Sequence, residues 1–281
     1  LSTDKSLLLP NKDTLWTVEG NQELTPQTPV TLVWNNGQGV KFVYVISIDD
    51  NYLFDITQTV VNNSGKEITI YPYGLFSRTL DKDALGRSIV HEGFTGVIDG
   101  DLKEIKYSKL DKEKTPETFE TTGGWISLTE RYWFSAFIFN DAYKAKVTLR
   151  QVNDNLFQLD FKGLPMQIQS GNSASFSSQL YAGAKEIKLL DEYSKNIKKF
   201  DLNVDFGWYY FLTKPFFYIL DYLYHFIGNM GWAILLFAAL LRLLMFPIAN
   251  KSYESMSKMK KVQPKLMELQ NTFKDDKLAL Q

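Results

Sequence analysis

MGWAILLFAALLRLLMFPIA, residues 230–249, is a run of twenty residues whose only charge is Arg242. Twenty helical residues at about 1.5 Å each cross a hydrocarbon core of about 30 Å, so the run predicts a transmembrane helix. Its ten Leu, Ile and Phe side chains each favour insertion by roughly 0.3–0.6 kcal/mol, against a cost of roughly 2.5–3.5 kcal/mol for one central arginine. Insertion wins. A helix in a soluble core is the alternative, but such helices rarely run this long without a polar face.

Working outward, Lys251, Lys258, Lys260, Lys261 and Lys265 follow the run against a single Glu254, whereas the upstream flank carries Lys214 with Asp221. The positive-inside rule then places the C-terminal side in the cytoplasm. The residues before the helix lie outside, yet LSTDKSLLLP at residues 1–10 has no signal-type hydrophobic region. An anchor or signal helix upstream is therefore expected.

The aromatic stretch GWYYFLTKPFFYILDYLYHF, residues 207–226, leads into the span, and ten of its twenty residues are Phe, Tyr or Trp. Such rings, Trp208 among them, prefer the lipid headgroup zone. Lys214, Asp221 and His225 are spaced to share one helical face, which predicts a helix lying flat in the interface. Pro215 is expected in its first turn, with Gly228-Asn229 as the break before the span. A second full span is the rival, weakened by three ionisable groups and the proline.

Arg242 stands about 18 Å below Met230 and about 10 Å above Ala249 on an ideal helix. It falls in the inner leaflet, where an arginine is costly and marks a functional site by default. Snorkelling to cytoplasmic headgroups is the alternative. Pro247 is expected to loosen the helix end. Beyond it, Met259, Val262, Leu266, Leu269 and Phe273 recur at spacings of three and four, a coiled-coil seam that wants a partner. Lys258, Lys260, Lys261 and Lys265 flank that seam, and Pro264 predicts a kink or a fresh helix start.

Residues 11–199 read differently. TPVTLVWNN (28–36), GVKFVYVISI (39–48), LFDITQTVV (53–61), EITIYPY (67–73), AKVTLRQV (145–152) and LFQLDFKGL (156–164) read as strands. Asn35-Asn36-Gly37, Asn62-Asn63-Ser64-Gly65 and Asp99-Gly100 are turn signals predicting antiparallel hairpins. Together they predict an all-β domain, a large sandwich, with one helix over Gly183–Phe200 as the exception.

Chemistry is sparse there. A net charge of -1 argues against a phosphate-tracking surface, and the lack of cysteine removes disulfides, thiolate metal sites and cysteine nucleophiles. No Walker loop, HExxH or GxSxG occurs, so nucleotide hydrolysis and the common hydrolase chemistries have no local support. His91-Glu92 is the best acid–base candidate, but neighbours on a strand point to opposite faces, which favours a turn or surface role. Trp125, Tyr132, Trp133, Phe134 and Phe137 fit either a carbohydrate groove or core packing, and core is the commoner use.

Two long segments, FDLNVDFGWYYFLTKPFFYIL (200–220) and IGNMGWAILLFAALLRLLMFPIANKSYESMSKMKKVQPKLMELQ (227–270), resemble the YidC insertase family in its bacterial branch with a large periplasmic domain. YPYGLFSR (71–78), HEGFTGVIDGDLKEIKY (91–107), GGWISLTERYWFSAFI (123–138), LYAGAKE (180–186) and KDDK (274–277) are similar to family signatures. The family often has proline where this chain has Phe139 and Ala184, tryptophan at Met230, and threonine at Ala238, one turn before the arginine.

The resemblance implies a mutarotase-like periplasmic β-supersandwich over 1–200, an interfacial helix over 201–228, a membrane span over 229–250 and the start of a cytoplasmic helical hairpin over 251–281. It implies an inner-membrane insertase and chaperone with no catalytic residues, metal, cofactor or nucleotide. Arg242 would face a hydrated groove that receives nascent membrane proteins. Trp208, Lys214, Pro215 and Asp221 would seat the interfacial helix in phospholipid. Met259, Lys260, Lys261, Leu266 and Leu269 would dock the ribosome or targeting machinery, and the Sec translocon is an implied partner. The contrasting expectations are a membrane-anchored carbohydrate-active enzyme using His91 and Glu92, or a periplasmic scaffold.

Overall fold

The chain divides into two units, Leu1–Asp205 and Phe206–Gln281, in the computed structural model, which describes residues 1–80, 90–207 and 209–272, with the backbone alone for residue 261 and residues 265–272. The first unit carries strands β1 (Thr17–Glu19), β2 (Val30–Asn35), β3 (Val40–Ile48), β4 (Leu53–Asn62), β5 (Ile68–Ile70), β6 (Tyr73–Thr79), β7 (Gly93–Ile98) and β8 (Asp101–Lys106). After helix α1 (Tyr107–Glu113) come β9 (Glu117–Thr129), β10 (Trp133–Asn153), β11 (Leu156–Gly163), β12 (Met166–Ile168) and β13 (Asn172–Ala184). Helix α2 (Ile187–Tyr193) and a 3₁₀ turn at Phe200–Asn203 complete it. Eleven strands form one antiparallel sheet in the order β1-β2-β3-β4-β13-β10-β9-β7-β8, with β11 on β10 and β6 on β11, while β5 and β12 pair with each other.

The 21-residue β10 turns this sheet into two layers. Its first half pairs with β13 and β9, its second half with β9 and β11, and the register shifts between Phe139 and Lys144. The bend lays β6 over the first half of β10, where Phe76 stacks on Phe137 with centroids 4.1 Å apart. Phe94, Ile126, Phe139, Val147, Leu149, Phe157 and Phe161 fill the space between. On the opposite face, Val97, Trp125, Phe134, Ala136 and Ile138 are covered by Leu190, Ile197 and Phe200 from the C-terminal segment. β7 is therefore buried on both faces throughout, which is why its sequence shows no alternation.

Local chemistry accounts for the turns. Asp99 and Gly100, at φ +50° and +88°, close the β7–β8 hairpin, with Ile98 opposite Asp101, as a two-residue turn of that type requires. The β2–β3 turn is organised by the buried Asn36, whose Oδ1 accepts the N–H groups of Gln38 (2.8 Å) and Val40 (3.1 Å).

Two expectations need correcting. Asn62–Gly65 is not a hairpin: it carries the chain from β4 to β5 in the other sheet, and the buried Asn62 amide donates to the carbonyls of Lys66 and Ile168, each at 2.8 Å. The helix expected over Gly183–Phe200 is confined to α2, because Gly183 and Ala184 stay in β13, paired with Phe134 and Trp133. Sheet pairing overrides the helical spacing there.

The second unit contains α3 (Tyr210–Ile227) and α4 (Met230–Thr272). Gly228, at φ +75°, ends α3 by donating its N–H to the Tyr224 carbonyl at 2.8 Å. Asn229 then caps α4, its Oδ1 accepting the N–H groups of Gly231 (2.9 Å) and Trp232 (3.3 Å). The Phe216 ring meets Phe237 edge-on at 5.4 Å and joins the two helices.

Pro215 and Pro264 behave differently from expectation, Pro215 by its place in the helix and Pro264 by starting no new one. Pro215 lies a turn and a half inside α3, not in its first turn, because Thr213 Oγ1 donates to the Phe206 and Tyr209 carbonyls (3.0 Å each) and Phe206 packs edge-on against Tyr210, extending the helix upstream. α4 runs through Pro247 and Pro264 without a break. A proline removes one ladder bond, and the flanking Met, Lys, Glu and Leu are strong enough helix formers to bridge it.

Candidate functional site on the membrane unit

Among the described residues, α4 is the one helix long and apolar enough to cross a membrane. Leu235, Leu243, Leu244, Phe246 and Ile248 are all between 61% and 71% exposed, a surface that water cannot solvate cheaply and lipid can. Arg242 is exposed within this stretch. Helical side chains lean toward the N-terminus, and the turn on that side of Arg242 carries the small Ala238 and Ala239. The helix thus presents a cation on a surface that is otherwise hydrocarbon.

α3 has a different character. Lys214 Nζ donates to the Tyr210 hydroxyl at 2.7 Å and stands 5.1 Å over its ring. His225 Nδ1 lies 2.8 Å from the Asp221 carbonyl and 3.6 Å from its carboxylate. Lys214, Asp221 and His225 therefore form one polar stripe, and Phe211 (75%), Tyr222 (69%) and Phe226 (78%) expose their rings on an adjoining face. Pro215 is exposed on the same helix, and Trp208 lies outside the described residues.

Past the apolar run, Met259 and Lys260 are exposed, and Lys258 pairs with Glu254 at 2.8 Å. Lys261, Leu266 and Leu269 lie on the continuous α4 backbone. Phe273, the last position of the seam, lies outside the described residues.

The candidates of the β unit resolve against catalysis. His91 is buried, not at a surface turn: its Nε2 lies 3.0 Å from the Phe94 carbonyl, and its N–H donates to Asp205 Oδ2 at 3.3 Å. Asp205 lies 114 residues away, so nothing local foretold that burial. The aromatic set divides, with Trp125, Phe134 and Phe137 in the core and Tyr132 and Trp133 exposed. A cleft of about 640 Å³ with mixed polar and apolar walls opens beside Asp55, Ser177, Asn196 and Lys198. Trp125 beneath it is fully buried and offers no face for a sugar ring to stack on. No cluster of His, Asp or Glu suited to a metal occurs among the described residues.

Comparison with known proteins adds two family matches. Residues 1–219 match the family described as YidC periplasmic domain, and residues 222–281 match the 60Kd inner membrane protein family. The membrane protein insertase YidC of Beijerinckia indica is 42% identical over 99% of this chain and 47% of its own length. That of Rickettsia felis is 41% identical over 100% of this chain and 51% of its own length. The chain thus spans about half the length of the curated relatives it matches. Among solved structures, a galactose mutarotase related enzyme from Lactobacillus acidophilus is 13% identical with a TM-score of 0.41, covering 59% of this chain and 70% of that one. That likeness is too distant to argue from.

Proposed function

Because this chain belongs to the YidC membrane protein insertase family, an inner membrane protein with a periplasmic β domain, we propose that α4 forms part of the path by which hydrophobic segments of client proteins enter the bilayer. The observation that carries this reading is Arg242, an exposed cation on an otherwise apolar spanning helix. An arginine at that depth draws water into the inner leaflet and shortens the low-dielectric distance that a polar or acidic client tail must cross. The hydrophobic effect then delivers the apolar segment to lipid. No covalent step, cofactor or nucleotide is required.

In this reading the β unit, which runs on to Asp205, is periplasmic, the stretch from Phe206 to Gly228 lies in the outer interface through Trp208, Lys214, Pro215 and Asp221, 229–250 span the membrane, and 251–281 are cytoplasmic. Met259, Lys260, Lys261, Leu266 and Leu269 dock the ribosome or targeting machinery, and the Sec translocon works alongside. A carbohydrate-active enzyme is disfavoured by the burial of His91. Site-specific crosslinking from positions around Arg242, in the complete protein, to a nascent single-span client tests the proposal. Adducts are expected near Arg242, and their absence would overturn it.

A further inference from the structure

The exposed aromatic rings described in the β unit are Tyr52 (63%), Tyr132 (63%) and Trp133 (61%). They come from two places far apart in the chain, yet the sheet gathers them on one rim. The Tyr52 carbonyl, between β3 and β4, accepts the Ala182 N–H at 3.3 Å. The Tyr132 carbonyl, between β9 and β10, accepts the Lys185 N–H at 2.9 Å, and Trp133 pairs with Ala184. All three thus border the end of β13. Among the described residues of this unit, the other large apolar side chains that are exposed are Leu and Val, scattered as on any soluble surface.

The unit also ends at this rim. Asp205 is bonded to His91, just ahead of β7, and the first residue of β7, Gly93, pairs with Thr129 at the end of β9. Tyr52 carries a second sign of function. It sits at φ +66°, where a bulky side chain is strained and glycine or asparagine would be cheaper, and its exposed ring gains little from the fold in return.

We propose that this rim rests in the headgroup layer of a phospholipid bilayer, with Tyr52, Tyr132 and Trp133 as its anchors. Tyrosine and tryptophan favour that layer because one end of each ring system is apolar and the other hydrogen-bonds. Arg131 holds its guanidinium 5.1 Å over the Tyr132 ring. The inference rests on the interfacial reading of α3, from which only residues 206–209 separate Asp205 along the chain. Asp50 lies on the Tyr52 turn, and Glu130 is paired with Arg78 at 2.5 Å, so the rim is not a basic patch. Its attraction to lipid is aromatic and survives high salt.

The chain contains no cysteine, so one introduced thiol carries a fluorophore alone. The whole chain is labelled at Tyr132→Cys, or at Asn63→Cys beyond the other end of β4, and reconstituted in phosphatidylcholine vesicles containing lipid brominated near the headgroup. Quenching about twofold or more stronger at 132 than at 63, unchanged by high salt, is expected. Equal quenching at the two sites overturns the proposal. A label at Tyr222→Cys on α3 separates the two ideas. Strong quenching there without quenching at 132 sinks the rim alone, whereas weak quenching there sinks the interfacial helix on which the inference rests. With a label at Tyr52→Cys, the pair Tyr132→Ser and Trp133→Ser, both at exposed positions, is expected to weaken quenching, and unchanged quenching also counts against the rim.

Discussion

Phe200 stands edge-on to Trp125, with ring centroids 5.5 Å apart, planes at 86° and neither side chain exposed. Trp125 also donates its indole N–H to the Lys198 carbonyl at 3.1 Å. The pair fastens the last segment of the β unit onto its sheet. Phe200→Ala is expected to cost about 3–5 kcal/mol and to release residues 194–205. A lower urea midpoint together with new proteolytic cleavage in that segment is the expected readout.

Lys185 gives a pH signature. Its ammonium is held down to about 8 from 10.5, chiefly by burial, against the opposing pull of Asp205, Glu92, Glu104 and Glu130. The folded chain therefore binds this proton more weakly than the unfolded chain, and the penalty is fully present below pH 8. Between pH 8 and 10.5 the unfolded state carries more protons, so stability rises with pH across that window. At about 1.4 kcal/mol per unit the gain is at most about 3 kcal/mol, trimmed by partial solvent access. Urea titrations between pH 8 and about 9.5, below the pH near 10 at which unfolded tyrosines ionise, are expected to show the rise in the parent and little or none in Lys185→Met, while above that range the buried tyrosines, held above 10 by burial, pull stability down in both.

Arg242 separates stability from function. Arg242→Leu is expected to ease membrane insertion of α4 itself by about 3–4 kcal/mol, while client insertion by the complete protein falls. Arg242→Lys should retain more insertion than Arg242→Glu, because the proposed role needs a positive charge. Protease protection of a single-span client, in cells depleted of the native protein, measures this. Full insertion with Arg242→Glu would remove the cation from the mechanism.

Pro215 interrupts the ladder of α3 at the Phe211 carbonyl. Pro215→Ala restores that bond and is expected to stabilise the helix by up to about 3 kcal/mol. Slower amide exchange across residues 212–219 in vesicles is the check.

How legible the chain was depended on distance along it. Met230–Ala249 could be read because twenty adjacent residues decide whether a segment crosses a bilayer, and Asp99-Gly100 because a type I′ hairpin turn needs positive φ at both positions, which Asp and Gly accept. β7 showed no alternation because both its faces are buried. α1 escaped notice because seven residues carry too little periodicity; it is placed by burying Tyr107 and Leu110 in the first core. The burial of His91 and the gathering of Tyr52 with Tyr132 and Trp133 depend on contacts across roughly 50 to 130 residues, which no local pattern encodes. Arg242 was visible at once, since one cation in a hydrocarbon run needs no tertiary context to stand out.

The 43 residues of α4 run as one continuous helix from Met230 to Thr272, about 65 Å along its path at 1.5 Å per residue and roughly twice the hydrocarbon thickness. Pro247 and Pro264 are its soft points, each lacking one ladder bond, so a load applied near Met259 crosses only the first of them on its way to Arg242. In the proposed reading, whatever grips Met259 acts on the guanidinium through the turns between them, with Pro247 as the one yielding joint on the way.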